Sequence, residues 1–212
     1  MRLDISLTGW PLPLLLPALL ASALLSTGLS SGCAPMVVAG AAYGGAVLHE
    51  RRSAQTVLED QAIELQASQL YFQNPDIRNH SSLSVTCYNY EALLTGQAES
   101  AVIARRFAEL IARLPKVTKV YNEVEIGPNI SVTRASQDAY LGSRAKLALA
   151  DIKLPDFDPM RVKVVAENGV IYLMGLVTAA EADATVDKVR RIPGVVRVVR
   201  IFNLIHVNPQ AS

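Results

Sequence analysis

A chain of 212 residues has room for one or two small domains, and its formal net charge of +1 argues against a protein that binds nucleic acid through a basic surface. Its mean hydropathy of +0.25 is high for a soluble protein. Both values include an apolar N-terminal run, so the folded part of the chain must be assessed without it.

That run is the first predicted element, PLPLLLPALLASALLSTGL over residues 11–29. Three prolines interrupt it and small residues end it, which favours the core of a secretory signal over a membrane-spanning helix. We therefore predict a signal peptide over residues 1–32 that is removed from the mature protein.

Small residues precede Cys33 in the stretch LSSGCAPM. This stretch resembles the lipobox of bacterial lipoproteins, in which the cysteine becomes the acylated first residue. The resemblance implies lipidation of Cys33, palmitate included, and Ala34 behind it implies sorting to the outer membrane. The alternative is an ordinary signal cut at a small-x-small site.

Residues 33–53 are predicted to form the lipidated cysteine and a flexible Gly/Ala-rich tether. A dimerising strip through Gly40 and Gly44 is the alternative for this segment. With Cys33 lipidated, Cys87 has no partner for an intramolecular disulfide. Cys87 lies in an alternating β-branched segment, which favours an inert, half-buried thiol.

The chain contains an internal repeat. VTCYNYEALLTG, from residue 85, aligns with VVAENGVIYLMG, from residue 164, at an offset of 79 residues. In each copy two strand-like runs flank a turn, and a glycine ends the second run. A helical pattern follows, over residues 101–114 and 180–192, and then a proline and a β-rich run.

Each copy also begins with a helical pattern, over residues 56–70 and 138–152. The repeated unit is therefore α-β-β-α-β, which at roughly 70 residues buries its apolar side most economically as one small sheet with two helices on one face. The predicted class is α+β, with two such units in tandem.

VKVVAENGVIYLMGLV, LSVTCYNYEALLTGQ and the run VYNEVEI resemble the hairpin and the closing strand of the BON domain. A lipidated cysteine, a short tether and two such units are similar to the dual BON-domain lipoproteins of Gram-negative bacteria. The predicted organisation is listed in chain order: signal peptide 1–32, lipidated cysteine and tether 33–53, BON domain 1 54–127, linker 128–134, BON domain 2 135–207 and tail 208–212.

Three glycines are interpreted as structural turn residues: Gly96, Gly169 and Gly175. The hairpin glycine of the second copy, Gly169, is replaced in the first copy by Tyr90. Asn89 before it tolerates a turn conformation. We nevertheless expect a looser turn in the first copy.

The first helix of the second copy carries two apolar stripes. Leu141, Ala145 and Leu149 share a face that we assign to the core, whereas Tyr140 and Leu147 lie on another face, about 130° away. A cation, Arg144, lies between these last two. The aligned positions of the first copy are Ala62, Gln66 and Gln69, which predict an ordinary polar outer face there.

An aromatic ring, a cation and a leucine on one helix face suit a membrane surface, because the apolar groups enter the acyl boundary while the cation meets phosphate. The two halves of the chain agree with this placement: residues 50–130 carry 8 Lys/Arg and 10 Asp/Glu, and residues 131–212 carry 11 and 8. An anionic partner would prefer the second copy. The alternative is that Tyr140 and Leu147 pack against the first domain.

The family resemblance implies that this helix binds anionic phospholipid of the phosphatidylglycerol or cardiolipin class. The candidate lipid-binding residues are Tyr140, Ser143, Arg144, Lys146 and Leu147. The resemblance further implies a lipid-anchored protein on the periplasmic face of the outer membrane that supports envelope integrity and localises to division sites. The alternative function is an envelope protein adaptor that uses the same surface.

Residue patterns of enzymes are missing from the sequence. His49, His80 and His206 have no spacing that suggests metal ligation, and no nucleophile elbow, zincin or P-loop motif occurs. We therefore expect no catalytic residue, metal, cofactor or nucleic-acid partner.

Overall fold

The computed structural model describes residues 50–206. The predicted signal peptide, Cys33, most of the tether and the tail lie outside these residues.

Domain 1 contains, in order, α1 (Ala54–Gln73), α2 (Pro75–Arg78), β1 (Ser81–Tyr88), β2 (Glu91–Ala98), α3 (Ala101–Ala112), β3 (Lys119–Asn122) and β4 (Glu125–Ile126). Domain 2 contains α4 (Val132–Ala150), a 3-10 turn (Pro159–Arg161), β5 (Val162–Glu167), β6 (Val170–Val177), α5 (Ala179–Val189) and β7 (Arg197–Leu204). The predicted α+β class and the repeated α-β-β-α-β unit are confirmed.

Each domain is a small mixed sheet with its helices on one face. In domain 1 the hairpin β1–β2 is antiparallel, and β3 and β4 both run parallel to β2. In domain 2 the hairpin β5–β6 is antiparallel and β7 runs parallel to β6 along its whole length. The central strand is therefore the second strand of the hairpin in each copy.

The long helices begin earlier than the sequence pattern predicts. Helix α4 begins at Val132, inside the segment 128–134 predicted as linker, because the hydroxyl of Ser131 accepts a hydrogen bond from the Arg134 N–H at 3.2 Å. Ser53 caps α1 in the same way, through the Thr56 N–H at 3.0 Å. Residues N-terminal to the apolar pattern are thus helical because a serine cap stops the helix from fraying.

A buried aspartate caps the hairpin turn of domain 1. The carboxylate of Asp60, which is 3% exposed, accepts hydrogen bonds from the N–H groups of Asn89 and Tyr90, each at 2.8 Å. Both turn residues have positive φ, 53° and 66°, as the two central positions of a type I′ turn require. The expectation of a looser first turn is wrong, because Asp60 holds Tyr90 in the left-handed conformation that glycine would adopt freely.

Domain 2 repeats this arrangement at the equivalent positions. Asp138, 4% exposed, accepts from the N–H groups of Asn168 and Gly169, again at 2.8 Å each. The cap reaches from the first helix to the hairpin, so it fixes where each helix lies along its sheet.

Two of the three predicted turn glycines lie inside strands. Only Gly169 occupies a turn, with φ +76°, whereas Gly96 is within β2 and Gly175 is within β6. A Cβ at Gly96 would lie 2.0 Å from the carbonyl oxygen of Ser82, and one at Gly175 would lie 2.9 Å from that of Arg161. The turn assignment of Gly96 and Gly175 is corrected: these glycines allow a close approach of backbone to the neighbouring strand or turn.

The two sheets pack against each other through the faces that carry no helices. Strands β2 and β6 are buried along nearly their whole length, as expected for strands covered on both faces. The side chains that form this interdomain core are Tyr88, Leu93, Val170, Tyr172, Met174 and Ile201. The folded unit is therefore a four-layer stack of helices, sheet, sheet and helices.

An ion pair joins the segment before α1 to domain 2. The Arg51 guanidinium donates to both carboxylate oxygens of Glu181, at 2.6 and 3.0 Å, and to the carbonyl of Leu176 at 3.1 Å. Burial alone would raise the pKa of Glu181, but hydrogen bonds from Arg51 and Thr178 outweigh it and lower the pKa. Glu181 therefore stays charged in the interface.

We expect Arg51→Ala to lower the free energy of unfolding by about 2 kcal/mol, which is the low end of the range for an interfacial charge pair. The low end applies because Arg161, 3.8 Å from Glu181, still compensates part of the carboxylate charge. Since the pKa of Glu181 is lowered in the folded state, this contribution is complete above the ordinary glutamate pKa and is lost as the pH falls through the folded value. Urea unfolding of both proteins across this pH range measures the difference. Arg190→Ala, which removes an exposed pair with Asp187, is the control and should change stability little. A constant wild-type advantage down to acid pH would contradict the assignment.

Candidate functional site

Helix α4 is anchored by its inner face and presents its outer face to solvent. Leu141, Ala145 and Leu149 are each at most 4% exposed and pack in the domain 2 core. Gly142 is half-buried beside them, and a Cβ there would meet that of Ala166 at an ordinary contact distance of 3.6 Å. The predicted core face of this helix is therefore the face that meets the sheet.

Four of the five candidate lipid-binding residues share the opposite, exposed side of the helix. Tyr140 is 59% exposed and Leu147 is 71% exposed, and Ser143 and Arg144 are exposed beside them. We call these four residues the α4 ridge. The alternative in which Tyr140 and Leu147 pack against the first domain is wrong, because neither side chain is covered.

The aromatic and the cation of the ridge hold each other in place. The Arg144 guanidinium donates to the Tyr140 hydroxyl at 3.0 Å, and its carbon lies 5.8 Å from the ring centroid. Ser143 donates to the carbonyl of Ala139 at 2.9 Å, so its hydroxyl is turned back onto the helix. The ridge thus offers an apolar ring, a leucine and a guanidinium with free donors, whereas Ser143 adds little binding capacity.

Lys146, the fifth candidate, lies on the flank of α4 rather than on the ridge. Helical geometry places it about 120° around the axis from Tyr140. It is exposed and lines a cavity between α4 and the first domain. The structure therefore separates Lys146 from the other four candidates.

The outer face of α1 differs from its prediction. The three aligned positions are indeed Ala or Gln, but Leu58, Leu65 and Phe72 are 60%, 61% and 64% exposed. Residues seven apart lie almost on one line along a helix, so these three form a stripe opposite the buried Ile63 and Ala67. The expectation of an ordinary polar face on α1 is wrong. Unlike the ridge, this stripe contains no cation.

The thiol of Cys87 is more deeply placed than the predicted half-buried position. Its side chain is fully buried, and the sulfur lies 3.3 Å from a carboxylate oxygen of Asp60. Burial, reinforced by the negative charge of Asp60, raises the pKa of the thiol. Cys87 is therefore held as a neutral thiol.

Residues 50–206 contain neither a metal-binding cluster nor a membrane-spanning helix. No group of His, Cys, Asp and Glu side chains in this part of the chain has the arrangement of a metal site. Within the same residues, no helix has both the length and the apolar character needed to cross a membrane.

Comparison with protein families identifies the repeated unit. The BON domain model matches residues 59–128 and 138–209, one match for each structural copy. The chain belongs to the BON-domain family and carries two BON domains.

Individual relatives extend this class. The chain is 29% identical over 172 residues to the outer membrane lipoprotein DolP of Haemophilus influenzae, covering 81% of this chain and 88% of that protein. It is 30% identical over 157 residues to a protein named 21 kDa hemolysin from Actinobacillus pleuropneumoniae, covering 73% of this chain and 78% of that protein. The chain is a DolP-like protein with two BON domains, and its predicted localisation, lipid-anchored at the outer membrane, is confirmed by the DolP match.

Solved structures add a weaker likeness. The C-terminal domain of CdsD, a structural protein of the type III secretion system of Chlamydia trachomatis, matches with a TM-score of 0.27 and 18% identity, covering 69% of this chain and 67% of that chain. A likeness of this size carries no argument about fold or function.

Proposed function

We propose that the protein binds anionic phospholipid of the phosphatidylglycerol or cardiolipin class through the α4 ridge. The observation that carries the proposal is the exposure of Tyr140 and Leu147 on both sides of the Arg144 guanidinium. Apolar groups flanking a cation match the boundary between acyl chains and phosphates. The first domain has an excess of acidic residues and the second an excess of basic residues. An anionic surface is therefore expected to approach the second domain, which carries the ridge.

Magnitudes indicate a weak contact that depends on the anchor. Full burial of a large apolar side chain contributes about 1.5–3 kcal/mol, and a basic residue near an anionic surface adds about 1 kcal/mol. The two apolar residues insert only in part, so the ridge alone binds poorly. An acyl anchor on Cys33 holds the ridge at high local concentration near lipid, which lets a modest affinity select where in the membrane the protein resides.

In cells, this binding would support outer-membrane integrity and place the protein at division sites, where the envelope is remodelled. This role needs neither catalysis nor a cofactor, and we propose a non-enzymatic protein. Palmitate on Cys33 belongs to the same proposal.

The alternative is an envelope protein adaptor that contacts a protein through the same ridge. The stripe of Leu58, Leu65 and Phe72 on α1 is separate from the ridge, and it would give such an adaptor a second protein contact, because it offers apolar area without a cation for phosphate.

A photo-crosslinking residue at position 140 of the full lipoprotein, irradiated in intact envelopes, separates the two functions. We expect lipid adducts at position 140 and none at position 62, the aligned position on α1, which is also exposed. Mass spectrometry of the adducts identifies the lipid class. One dominant protein adduct at position 140 would favour the adaptor and overturn lipid binding by the ridge.

A further inference from the structure

A cavity of about 510 Å³ lies between the two domains, apart from the α4 ridge. Its volume falls within the range of small-molecule sites. The buried residues of its lining are Asp60, Cys87, Tyr88, Val162 and Val164, and the exposed ones are Gln61, Lys146, Ala150 and Met160. The cavity therefore runs from an open rim to a largely apolar interior. We call it the interdomain cavity.

The charged groups of this cavity are paired, with one exception. Arg52 lies 2.5 Å from the carboxylate of Asp60, and Lys163 lies 2.7 Å from that of Glu64. Within residues 50–206, Lys146 has no hydrogen-bond or ion-pair partner. The lining therefore carries one excess positive charge, and this charge is at the rim.

A second unsatisfied group has the same polarity. The Nε of Arg52, on a side chain that is only 10% exposed, is buried without a hydrogen-bond partner among the described residues. It is a donor like the Lys146 ammonium, but it has almost no accessible surface, so the donor that a ligand in the cavity can reach is Lys146. A ligand that complements the cavity must bring acceptors or negative charge.

The rim has a side chain suited to admitting a flexible ligand. Met160, in the 3-10 turn before β5, is 68% exposed at the edge of the cavity. An unbranched thioether packs against irregular apolar chains at low conformational cost. Val57 and Pro159 continue the apolar wall on either side.

We infer that the interdomain cavity binds a single-chain anionic amphiphile, with its alkyl chain along the apolar wall and its carboxylate or phosphate on Lys146. A free fatty acid and a lysophospholipid both carry this chemistry. The inference goes beyond bilayer binding by the ridge and does not depend on it, since it assigns Lys146 to a different ligand.

The test uses the mature chain with Cys33→Ser, so that no acyl anchor competes. Titration calorimetry with dodecanoate below its micelle concentration should give saturable binding of one molecule per chain. Lys146→Gln should weaken dodecanoate about tenfold or more, the loss expected for one charge-assisted contact, and should leave dodecanol unchanged. Lys153→Gln, an exposed lysine outside the cavity, is the matched control and should bind as wild type.

A substitution that fills the cavity tests where dodecanoate binds, independently of the charge on Lys146. Ala150→Trp places a large ring at the exposed rim and should abolish dodecanoate binding while leaving vesicle binding by the ridge intact. Gln61→Trp, from the α1 side of the rim, repeats the test should the first variant fold poorly. Folding of each variant is checked by urea unfolding.

The outcomes decide the inference. Comparison of dodecanoate with lysophosphatidylglycerol distinguishes the two ligand sources, and tighter binding of either one supports the shared chemistry. Absence of saturable binding, equal binding to Lys146→Gln, or unchanged affinity in the filled variants would each overturn it. A failure confined to vesicle binding concerns the ridge and leaves the cavity result standing.

Discussion

Tyr140→Glu combined with Leu147→Glu is expected to weaken binding to phosphatidylglycerol-containing vesicles about a hundredfold. Partial burial of the two apolar side chains contributes about 3 kcal/mol, and two carboxylates facing anionic lipid remove this contribution and add repulsion. Flotation of the mature chain carrying Cys33→Ser, with and without anionic lipid, measures the effect. Both side chains are mostly exposed, so the fold is expected to remain intact.

The matched control is Ala62→Glu with Gln69→Glu, which places the same charges at the aligned positions of α1. This variant should float as well as wild type. In cells that lack the gene, the lipidated ridge variant should fail to restore resistance to detergents and enrichment at division sites, whereas the control should restore both. Unchanged flotation of the ridge variant would refute lipid binding by the ridge.

Asp60→Ala is expected to lower the free energy of unfolding by about 3–5 kcal/mol, the range for removing one partner of a buried ion pair. The substitution leaves the Arg52 guanidinium, 2.5 Å from Asp60 in wild type, with less compensation. It also releases two backbone N–H groups, including that of Tyr90, which Asp60 holds at positive φ. Urea unfolding followed by circular dichroism measures the loss.

Two comparisons separate these contributions. Asp76→Ala removes an exposed carboxylate of the same domain and should cost little. Asp60→Ala with Arg52→Met removes both charges and should recover part of the lost stability. A small effect of Asp60→Ala alone would show that the hairpin turn does not need its cap.

The repeated unit was predictable because its elements follow local patterns. Strand alternation around Gly169 and helical spacing after it repeat in the first copy, and such periodicity reflects which face of each element is apolar. The inner and outer faces of α4 were predictable for the same reason. The start of α4 at Val132 was not predictable in this way. The apolar pattern begins only where the helix contacts the core, whereas the Ser131 cap sets the N-terminus of the helix.

Other features left a signal in the sequence that single-element patterns do not reveal. Asp60 and Asp138 occupy equivalent positions of the repeat, on the inner face of the first helix of each copy. This aligned pair of aspartates is the sequence signal for the two capped hairpin turns. Leu58, Leu65 and Phe72 lie seven residues apart, and this spacing in the sequence predicts an apolar stripe along the outer face of α1.

By itself, the sequence determined the two-copy α+β organisation and the apolar and cationic residues that share the outer face of α4, because both depend on spacings within one element. Only the tertiary structure decided that the two sheets pack face to face, that Lys146 lines a cavity between the domains, and that Arg51 contacts Glu181. These features join residues far apart in the chain, and their geometry depends on how both domains fill space together, which no local pattern specifies.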